Sequence, residues 1–200
     1  MALQVKSIRG AEATPWLDAV ANLRIRIFRD FPYLYDGSLD YERGYLAEYA
    51  ASPDSVIVLA LNNQQLVGCS TGLPMADAEP AFRQPFIEAG FALEKVFYFG
   101  ESVLEAVWRG HGVGHQFFDQ REAHAEGLGF SITTFCAVQR SSDHPLRPAA
   151  YRPLDAFWSR RGYRPRPDLI THFGWKDIDQ AVQTDKPMQF WVRDGSATAG

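Results

Sequence analysis

The sequence predicts an α/β (α+β) fold that forms a single domain over residues 1–195, with a flexible tail over residues 196–200. Segments with strand-like and helix-like patterns alternate along most of the chain. A glycine-rich turn joins a hydrophobic strand at residues 96–104 to an amphipathic helix, and a further strand follows, as in a right-handed βαβ unit. The 200 residues, 46% of them hydrophobic, suffice for one buried core.

The N-terminal part of the chain predicts a strand followed by two helices. Leu3 and Val5 alternate with polar residues and indicate the first strand. Thr14 and Pro15 are typical of a helix N-cap and of the first helical position, so we expect a helix from there to about residue 30. Three tyrosines on one helical face indicate a second, shorter helix: Tyr41, Tyr45 and Tyr49.

An aromatic loop over residues 31–38 connects these two helices and ends in turn residues. Because loops often carry function and aromatic faces attract cations, Tyr33 and Tyr35 are candidate substrate-binding residues. Nearby acidic side chains favour a cationic amine there, although acids on helix surfaces also serve solubility alone. Peptide N-termini, lysine side chains, polyamines and aminoglycosides all stay open as acceptors.

The second half of the chain completes the predicted sheet. The remaining elements are a β-hairpin at residues 56–69 with a turn at Asn62-Asn63, an interruption at 77–92, a strand at 96–104, a helix at 112–127, a strand at 131–138, a short helix from 155, and closing strands at 169–175 and 188–192. The last strand could pair across a homodimer or be covered within the chain.

The most informative stretch is residues 109–114, which stands between a predicted strand and the helix that follows it. Gly110, Gly112 and Gly114 let the backbone turn sharply, and the free amides of the first helical turn attract an anion such as a pyrophosphate. Several nucleotide-using folds share this pattern, and an ordinary strand-to-helix turn is the alternative.

The order Arg109, two residues, Gly112, one residue, Gly114 resembles the signature of the GNAT superfamily of acyl-coenzyme A-dependent N-acetyltransferases. Residues 155–163 look like the second block of that superfamily, a short helix that ends at a glycine followed by an aromatic residue. The resemblance implies a mixed, mostly antiparallel sheet, splayed at its centre between the fourth and fifth strands, with helices on both faces.

The resemblance also implies direct transfer of an acetyl group from acetyl-CoA, as co-substrate, to a primary amine. The pantetheine arm would lie in the splay, and the pyrophosphate would lie on the glycine turn. Eight residues are thereby assigned to coenzyme binding: Val103, Leu104, Arg109, Gly110, His111, Gly112, Val113 and Gly114.

Acetyl transfer to an ammonium at neutral pH requires a proton acceptor, and Glu101 is the candidate general base. It stands in an otherwise apolar strand, and burial makes a carboxylate a stronger base. Glu94 and Glu105 are weaker candidates. The alternative is a structural Glu101 that faces solvent at a strand edge or pairs with an arginine.

Many GNAT proteins have a tyrosine four residues before the glycine of the second block, which protonates the leaving thiolate. Trp158 occupies that position here, and indole has no acidic group for this step. Tyr151 is therefore the candidate general acid, with Tyr163 as a second option. The missing tyrosine favours the main alternative function, a non-catalytic acyl-CoA-binding sensor or scaffold.

Cysteine and histidine chemistry is not favoured by the sequence. Cys136 could carry an acetyl group in a two-step mechanism, but a buried structural thiol is the preferred interpretation. His111 and His115 have the spacing of a helical metal pair without an evident third ligand, so we predict no metal site. The two cysteines and the lack of a signal or membrane-spanning pattern predict a cytoplasmic protein.

Charge and motif spacing argue against other functions. The chain has 20 Lys and Arg against 24 Asp and Glu, a net charge of −4, so we expect neither a nucleic-acid nor a membrane partner. Arginines are frequent after residue 139 and predict either a clamp for phosphates or a solvated face. Ser102 lacks the surroundings of a hydrolase nucleophile, and the mid-chain glycines do not suit a dinucleotide oxidoreductase.

Overall fold

Residues 3–195 are described by a computed structural model, and they fold around one mixed seven-stranded sheet. The predicted tail at residues 196–200 lies outside the described residues. In chain order the strands are β1 (Leu3–Ile8), β2 (Val56–Asn62), β3 (Gln65–Pro74), β4 (Val96–Leu104), β5 (Ile132–Val138), β6 (Arg164–Lys176) and β7 (Gln183–Asp194). Across the sheet they follow the order β1-β2-β3-β4-β5-β7-β6.

Helices in the described residues cover both faces of the sheet: α1 (Leu17–Phe28), α2 (Leu39–Ala51), α3 (Pro80–Glu88), α4 (Val113–Gly127) and α5 (Asp155–Arg160). Leu23, Leu46 and Phe86 belong to the core beneath α1, α2 and α3. Phe117 and Phe118 of α4 belong to the core on the other face. The predicted fold class is confirmed. None of the helices within residues 3–195 has the length and apolar character needed to cross a membrane.

The centre of the sheet is splayed as predicted. β4 pairs with β5 in parallel only where residues 96–98 face residues 132–134. All other neighbouring strands are antiparallel. Beyond Tyr98 the edge of β4 that faces β5 has no strand partner, so its backbone N–H and C=O groups are open to a ligand.

A β-bulge in β4 lies just beyond the start of the splay. The register between β3 and β4 shifts between Phe99 and Ser102, so two residues of β4 oppose one of β3. Gly100 is the first residue of the bulge. A Cβ built on Gly100 would be 2.0 Å from Oη of Tyr49, so only glycine fits. Glu101 is the second residue of the bulge, and its direction is therefore fixed by this irregularity.

Some element boundaries differ from the sequence predictions. The first α-helix begins at Leu17 rather than at Pro15, because the preceding Gly10–Trp16 segment forms a 3-10 helix. The hairpin turn lies at Asn63 and Gln64, which adopt φ values of 48° and 68°, and not at Asn62-Asn63. Both differences concern local backbone angles that the pattern of hydrophobic residues does not determine.

The structure adds detail to two further predictions about the sheet. The segment at residues 77–92 interrupts the sheet as predicted, and it contains a regular helix, α3, whose first residue is Pro80 and which packs against β6. β7 lies between β5 and β6, so of the two alternatives for the strand predicted at 188–192 the structure has the one covered within the chain. The edges of the sheet are β1 and β6.

Candidate active site

Two cavities meet at the bulge in β4. The splay groove, which opens between β4 and β5, has a volume of ≈ 1340 Å³. The inner cavity, which lies between α1, α2, β4 and the β6–β7 hairpin, has a volume of ≈ 290 Å³. Both cavities are lined by Phe28, Tyr33, Gly100 and Glu101. This junction is therefore where a group in the groove can meet a group in the inner cavity.

Glu101 is 7% exposed and shares the buried Arg24 with Glu42. Nη1 of Arg24 forms an ion pair with Oε2 of Glu101, and its Nε donates to Oε2 of Glu42. Its guanidinium stacks on the ring of Tyr45 at 4.3 Å. Burial opposes the charge of Arg24, but the two carboxylates outweigh burial and hold its pKa well above the ordinary value. One cation against two carboxylates leaves this cluster with a net charge of −1.

One oxygen of each carboxylate is free. Oε1 of Glu101 and Oε1 of Glu42 are buried and have no hydrogen-bond partner among residues 3–195. Tyr45 donates to Oε2 of Glu101 at 3.3 Å, and its hydroxyl lies 2.8 Å from that of Tyr49. Burial raises the pKa of both phenols, so they stay protonated. Glu101 therefore pairs with an arginine, as one interpretation of the sequence has it, and still offers an acceptor oxygen at the junction.

The glycine turn leads into α4 as predicted. Gly110 and Gly112 have φ values of 79° and 80°, in the left-handed region that favours glycine. Gly112 is the N-cap of α4, so the free amides of the first helical turn follow it directly. Nε of Arg109 donates to the Leu104 carbonyl oxygen at 3.1 Å, and both residues line the splay groove.

The other residues assigned to the coenzyme differ in what they can offer. Gly110 and Gly114 line the splay groove. Val103 and Val113 are each 1% exposed with side chains in the two cores, so only their backbone is available to a ligand. His111 is exposed, and its Nδ1 lies 2.9 Å from the carbonyl oxygen of Arg109, which fixes the ring against the turn.

Arg121 of α4 is a buried cation at the junction that the sequence analysis missed. It is 1% exposed and donates to the carbonyl oxygens of Thr71 and Glu101, both at 3.1 Å, and to Oγ of Ser102 at 2.8 Å. Burial lowers its pKa to about 10, so it is charged at neutral pH. These three hydrogen bonds, from Nη1 and Nη2, hold β3 and β4 together at the bulge. A single arginine in an amphipathic helix carries no sequence signal for this role.

The aromatic loop at residues 31–38 is held by Arg140, which follows β5. The guanidinium donates to the carbonyl oxygens of Pro32 at 2.8 Å and Tyr33 at 2.7 Å. It also donates to both carboxylate oxygens of Asp177, at 2.7 and 2.9 Å. Arg140 therefore fixes the loop to the end of β6.

The two tyrosines of this loop face the inner cavity. Tyr33 and Tyr35 both line it, and Tyr33 also lines the splay groove. Burial raises the pKa of both hydroxyls, and the neighbouring Glu42 carboxylate raises that of Tyr35 further, so both are neutral hydrogen-bond donors. Their position suits the predicted substrate-binding role, which stays a prediction.

No protein-family model matches the sequence, and no curated protein matches it significantly. Solved structures do match over nearly the whole chain. An N-acetyltransferase from Staphylococcus aureus Mu50 has a TM-score of 0.60 at 12% identity, covering 97% of this chain and 99% of its own. An acyl-CoA N-acyltransferase from Pseudomonas aeruginosa has a TM-score of 0.56 at 18% identity, covering 96% and 99%.

A protein described as a GNAT-family acetyltransferase from Desulfovibrio desulfuricans has a TM-score of 0.57 at 11% identity, covering 97% of this chain and 99% of its own. The chain has the GNAT fold. The resemblance noted from two short motifs is thereby confirmed at the level of the fold. At identities this low the structural matches establish the fold alone, and the substrate has to be inferred from the chemistry of the site.

The position that often carries the acidic tyrosine in GNAT proteins is occupied by half-buried Trp158. Its ring packs on Phe135 at 5.0 Å and on Trp191 at 5.1 Å, and it lines the splay groove. Tyr151 also lines the groove, with its ring 4.7 Å from that of Phe31. Burial raises the pKa of Tyr151, so it remains a protonated candidate for the general acid.

Tyr163, the second option for the acid, is a core residue of this GNAT fold. Its hydroxyl donates to Glu122 at 3.1 Å and lies 3.0 Å from Oγ1 of Thr133. The residue is 1% exposed and does not line the splay groove. The structure therefore favours Tyr151 over Tyr163 as the candidate general acid, because the Tyr163 hydroxyl is committed to interior hydrogen bonds.

Cys136 lines the splay groove but is poorly suited to covalent catalysis. Burial raises the pKa of its thiol to about 12, against an opposing hydrogen bond from Tyr98. The Tyr98 hydroxyl lies 3.4 Å from Sγ. A thiol that stays protonated at neutral pH is a weak nucleophile, and the structural interpretation of Cys136 is therefore favoured.

Proposed function

We propose that the protein is an acyl-CoA-dependent N-acyltransferase that moves an acetyl group from acetyl-CoA to a primary amine by direct attack in a ternary complex. The observation that carries the proposal is the position of Glu101, a buried carboxylate with a free oxygen at the junction of the two cavities. A base there can take a proton from an amine in the inner cavity while the amine nitrogen attacks a thioester in the groove.

The splay groove suits acetyl-CoA as the co-substrate. Past Tyr98, the free edge of β4 offers backbone groups to the amides of a pantetheine arm. Arg109, Gly110 and Gly114 line the groove where α4 begins, and a helix N-terminus favours the negative charge of a pyrophosphate. Arg147 lines the same groove and adds positive charge for the phosphates. These residues would hold the coenzyme with its thioester toward the junction.

The proposed transfer conserves atoms and protons. An ammonium acceptor gives one proton to Glu101, and its nitrogen then forms a bond to the thioester carbonyl carbon. The bond between carbon and sulfur breaks, and the sulfur leaves with the electron pair as a thiolate. The second proton of the nitrogen passes to that thiolate, through Tyr151 or water. The products are an acetamide and coenzyme A, and Glu101 returns its proton to solvent.

Gly114→Asp is expected to weaken acetyl-CoA binding by at least about 10-fold, because it places a carboxylate beside the pyrophosphate. Gly114→Asn has the same shape without the charge and should change the affinity by less than about threefold. A Cβ on Gly114 would lie 3.9 Å from Cζ of Phe157, an ordinary contact, so both variants should fold. Calorimetric titration of both variants with acetyl-CoA measures the two affinities. Equal affinities would show that the pyrophosphate does not bind at the N-terminus of this helix.

The first test of the function is calorimetric titration with acetyl-CoA, with desulfo-CoA, NAD and ATP as comparators. Selective binding of acetyl-CoA and desulfo-CoA is expected, followed by amine-dependent release of the coenzyme thiol in a turnover assay. Selective binding without thiol release for any amine would favour the acyl-CoA sensor, a function that Trp158 at the tyrosine position would permit. Absence of binding would overturn the proposal.

A further inference from the structure

The inner cavity has one anionic end. Glu42 is fully buried, Glu101 is 7% exposed, and both line the cavity. The Tyr35 hydroxyl interacts with the Glu42 carboxylate, and within residues 3–195 Oε1 of each glutamate lacks a hydrogen bond of normal geometry. Their shared partner Arg24 neutralises only one of the two charges. Buried carboxylate oxygens without partners are costly unless a donor reaches them. A cationic group with several N–H donors that reaches both oxygens would satisfy them.

The third carboxylate that lines the cavity does not offer a second cation site. This is Asp36, and Lys176 lies 2.5 Å from its carboxylate and Arg29 lies 3.2 Å from it. The positive charges of Lys176 and Arg29, and their hydrogen bonds, hold the pKa of Asp36 below its usual value. A second ammonium on the acceptor would therefore meet the positive charge of Lys176, so the cavity favours a monocation over a polyamine.

Much of the remaining cavity wall is aromatic. Phe82 stacks on Phe173 at 5.2 Å with an interplanar angle of 9°, and on Tyr98 at 4.8 Å with 26°. Trp175 and Tyr41 line the same cavity. Such walls favour a flat apolar body over a hydrated chain. The volume of ≈ 290 Å³ is at the small end for a ligand site, which favours a small molecule over a peptide.

We infer that the acceptor is a small arylalkylamine, bound as a monocation with its ammonium between Glu42 and Glu101 and its ring between the aromatic walls. The inference rests on the proposed function and specifies its substrate class. Glu42 then binds the ammonium, and Glu101 both binds it and takes its proton. Arg24, which also lines the cavity, holds the two carboxylates in place and acts as a positioning residue.

A panel of amines tests the inference with acetyl-CoA and the wild-type chain. The panel consists of 2-phenylethylamine, L-phenylalanine, spermidine and a lysine-containing tripeptide. We expect kcat/KM for 2-phenylethylamine to exceed each of the others by at least about 10-fold, since phenylalanine adds a carboxylate next to two glutamates and the other two add charge or bulk.

The outcomes separate the inference from the proposed function. If spermidine, phenylalanine or the tripeptide is the best acceptor, the arylalkylamine class is wrong and the N-acyltransferase proposal stands. If acetyl-CoA binds but none of a broad set of amines releases thiol, the proposed function fails and the inference fails with it. Preference for 2-phenylethylamine supports both.

Two variants test the binding geometry. Glu42→Gln should raise the KM for 2-phenylethylamine by at least about 10-fold, with a much smaller effect on kcat. Glu48→Gln, on the same helix but away from the inner cavity, is the matched control and should leave KM near the wild-type value. Retained affinity for acetyl-CoA shows that Glu42→Gln is folded. If the KM for 2-phenylethylamine is then unchanged, Glu42 does not bind the ammonium.

Tyr41→Ala keeps the test decisive even if Glu42→Gln does not fold. Tyr41 is 45% exposed at the rim of the cavity, so its truncation should not affect folding. It should raise the KM for 2-phenylethylamine severalfold and leave the KM for propylamine unchanged, because propylamine has no ring for the wall to contact. Equal effects on the two amines would contradict the aromatic site.

Discussion

Replacing Glu101 with glutamine is expected to lower kcat by about 10²- to 10⁴-fold, while the Kd for acetyl-CoA stays near the wild-type value. Glutamine preserves the volume of the side chain and can still accept hydrogen bonds from Arg24 and Tyr45, but it cannot take a proton from the amine. Thiol release at saturating substrate measures the loss, and calorimetric titration with acetyl-CoA shows that the groove is intact.

Glu105→Gln is the matched control for this experiment. Glu105 directly follows β4 and pairs with the exposed Arg26 at 2.6 Å, so the same chemical change is made beside the strand but outside the junction. We expect kcat within about twofold of wild type, since exposed ion pairs contribute little. A full loss in Glu105→Gln, or none in Glu101→Gln, would contradict the assignment of the base.

A weakly basic acceptor separates a catalytic from a purely structural Glu101. Fluorination beside the amino group lowers the pKa of the ammonium, so such an amine is partly neutral before it binds and depends less on an enzymic base. The deficit of Glu101→Gln should therefore be smaller for a β,β-difluorinated phenylethylamine than for the parent amine. A deficit of equal size for both amines would indicate that the variant only disturbs the cluster with Arg24.

The parts of the site that depend on local backbone were predictable from the sequence. β4 was predicted with the bounds that it has, because a long apolar run between turn residues is the signature of a buried strand. The glycine turn was predictable as well, because Gly110 and Gly112 occupy the positive φ region that other residues avoid. The splay followed from the family resemblance and not from any local pattern.

The electrostatic part of the site was not predictable in this way. Arg24 and Glu42 lie on two helices, and only tertiary packing brings them to Glu101 on β4. In the sequence each of them is one charged residue on a helix, which usually faces solvent. Arg121 was missed for the same reason. Alternation of charge and hydrophobicity along the chain does not show which charged residues become buried partners.

The arginines after residue 139 show how one sequence pattern can cover several roles. Arg140 is structural and holds the aromatic loop to Asp177. Arg161 is also structural, since it pairs with Glu122 at 2.7 Å. Arg147 lines the splay groove and is available to a phosphate. The predicted phosphate clamp can therefore apply to Arg147 but not to Arg140 or Arg161, and the predicted solvated face does not describe those two either. Composition alone does not show which partner each arginine has.

Asp177 lies beside two cations, the buried Lys186 and the partly buried Arg140, and Arg140 also contacts the aromatic loop. Its carboxylate is 5% exposed, accepts two hydrogen bonds from Arg140, and lies 3.3 Å from Nζ of Lys186. Burial opposes the ionisation of Asp177, but Arg140 and Lys186 outweigh it and hold the pKa of its carboxyl below the usual value. The same Arg140 donates to the carbonyl oxygen of Tyr33, so this ion pair supports the wall of the inner cavity.

Asp177→Asn is expected to lower the free energy of unfolding at pH 7 by about 3–5 kcal/mol, because it leaves the buried Lys186 and the partly buried Arg140 without their carboxylate. Urea unfolding monitored by Trp fluorescence measures the change. Asp168→Asn is the matched control, because it breaks an exposed ion pair with Arg166 and should cause no measurable loss. Equal losses in the two variants would show that burial at Asp177 does not matter.

The pH dependence of this difference gives an independent test of the same ion pair. The folded-state pKa of Asp177 is lowered, so its contribution to stability is present above the unfolded-state pKa of about 4 and disappears as the pH falls through the folded-state value. The gap in unfolding free energy between wild type and Asp177→Asn should therefore be largest near neutral pH and shrink below about pH 4. A gap that stays constant through this range would mean that the carboxylate charge is not its source. In that case the lost stability would reflect packing of the amide, and the loop that carries Tyr33 would be held by Arg140 without help from Asp177.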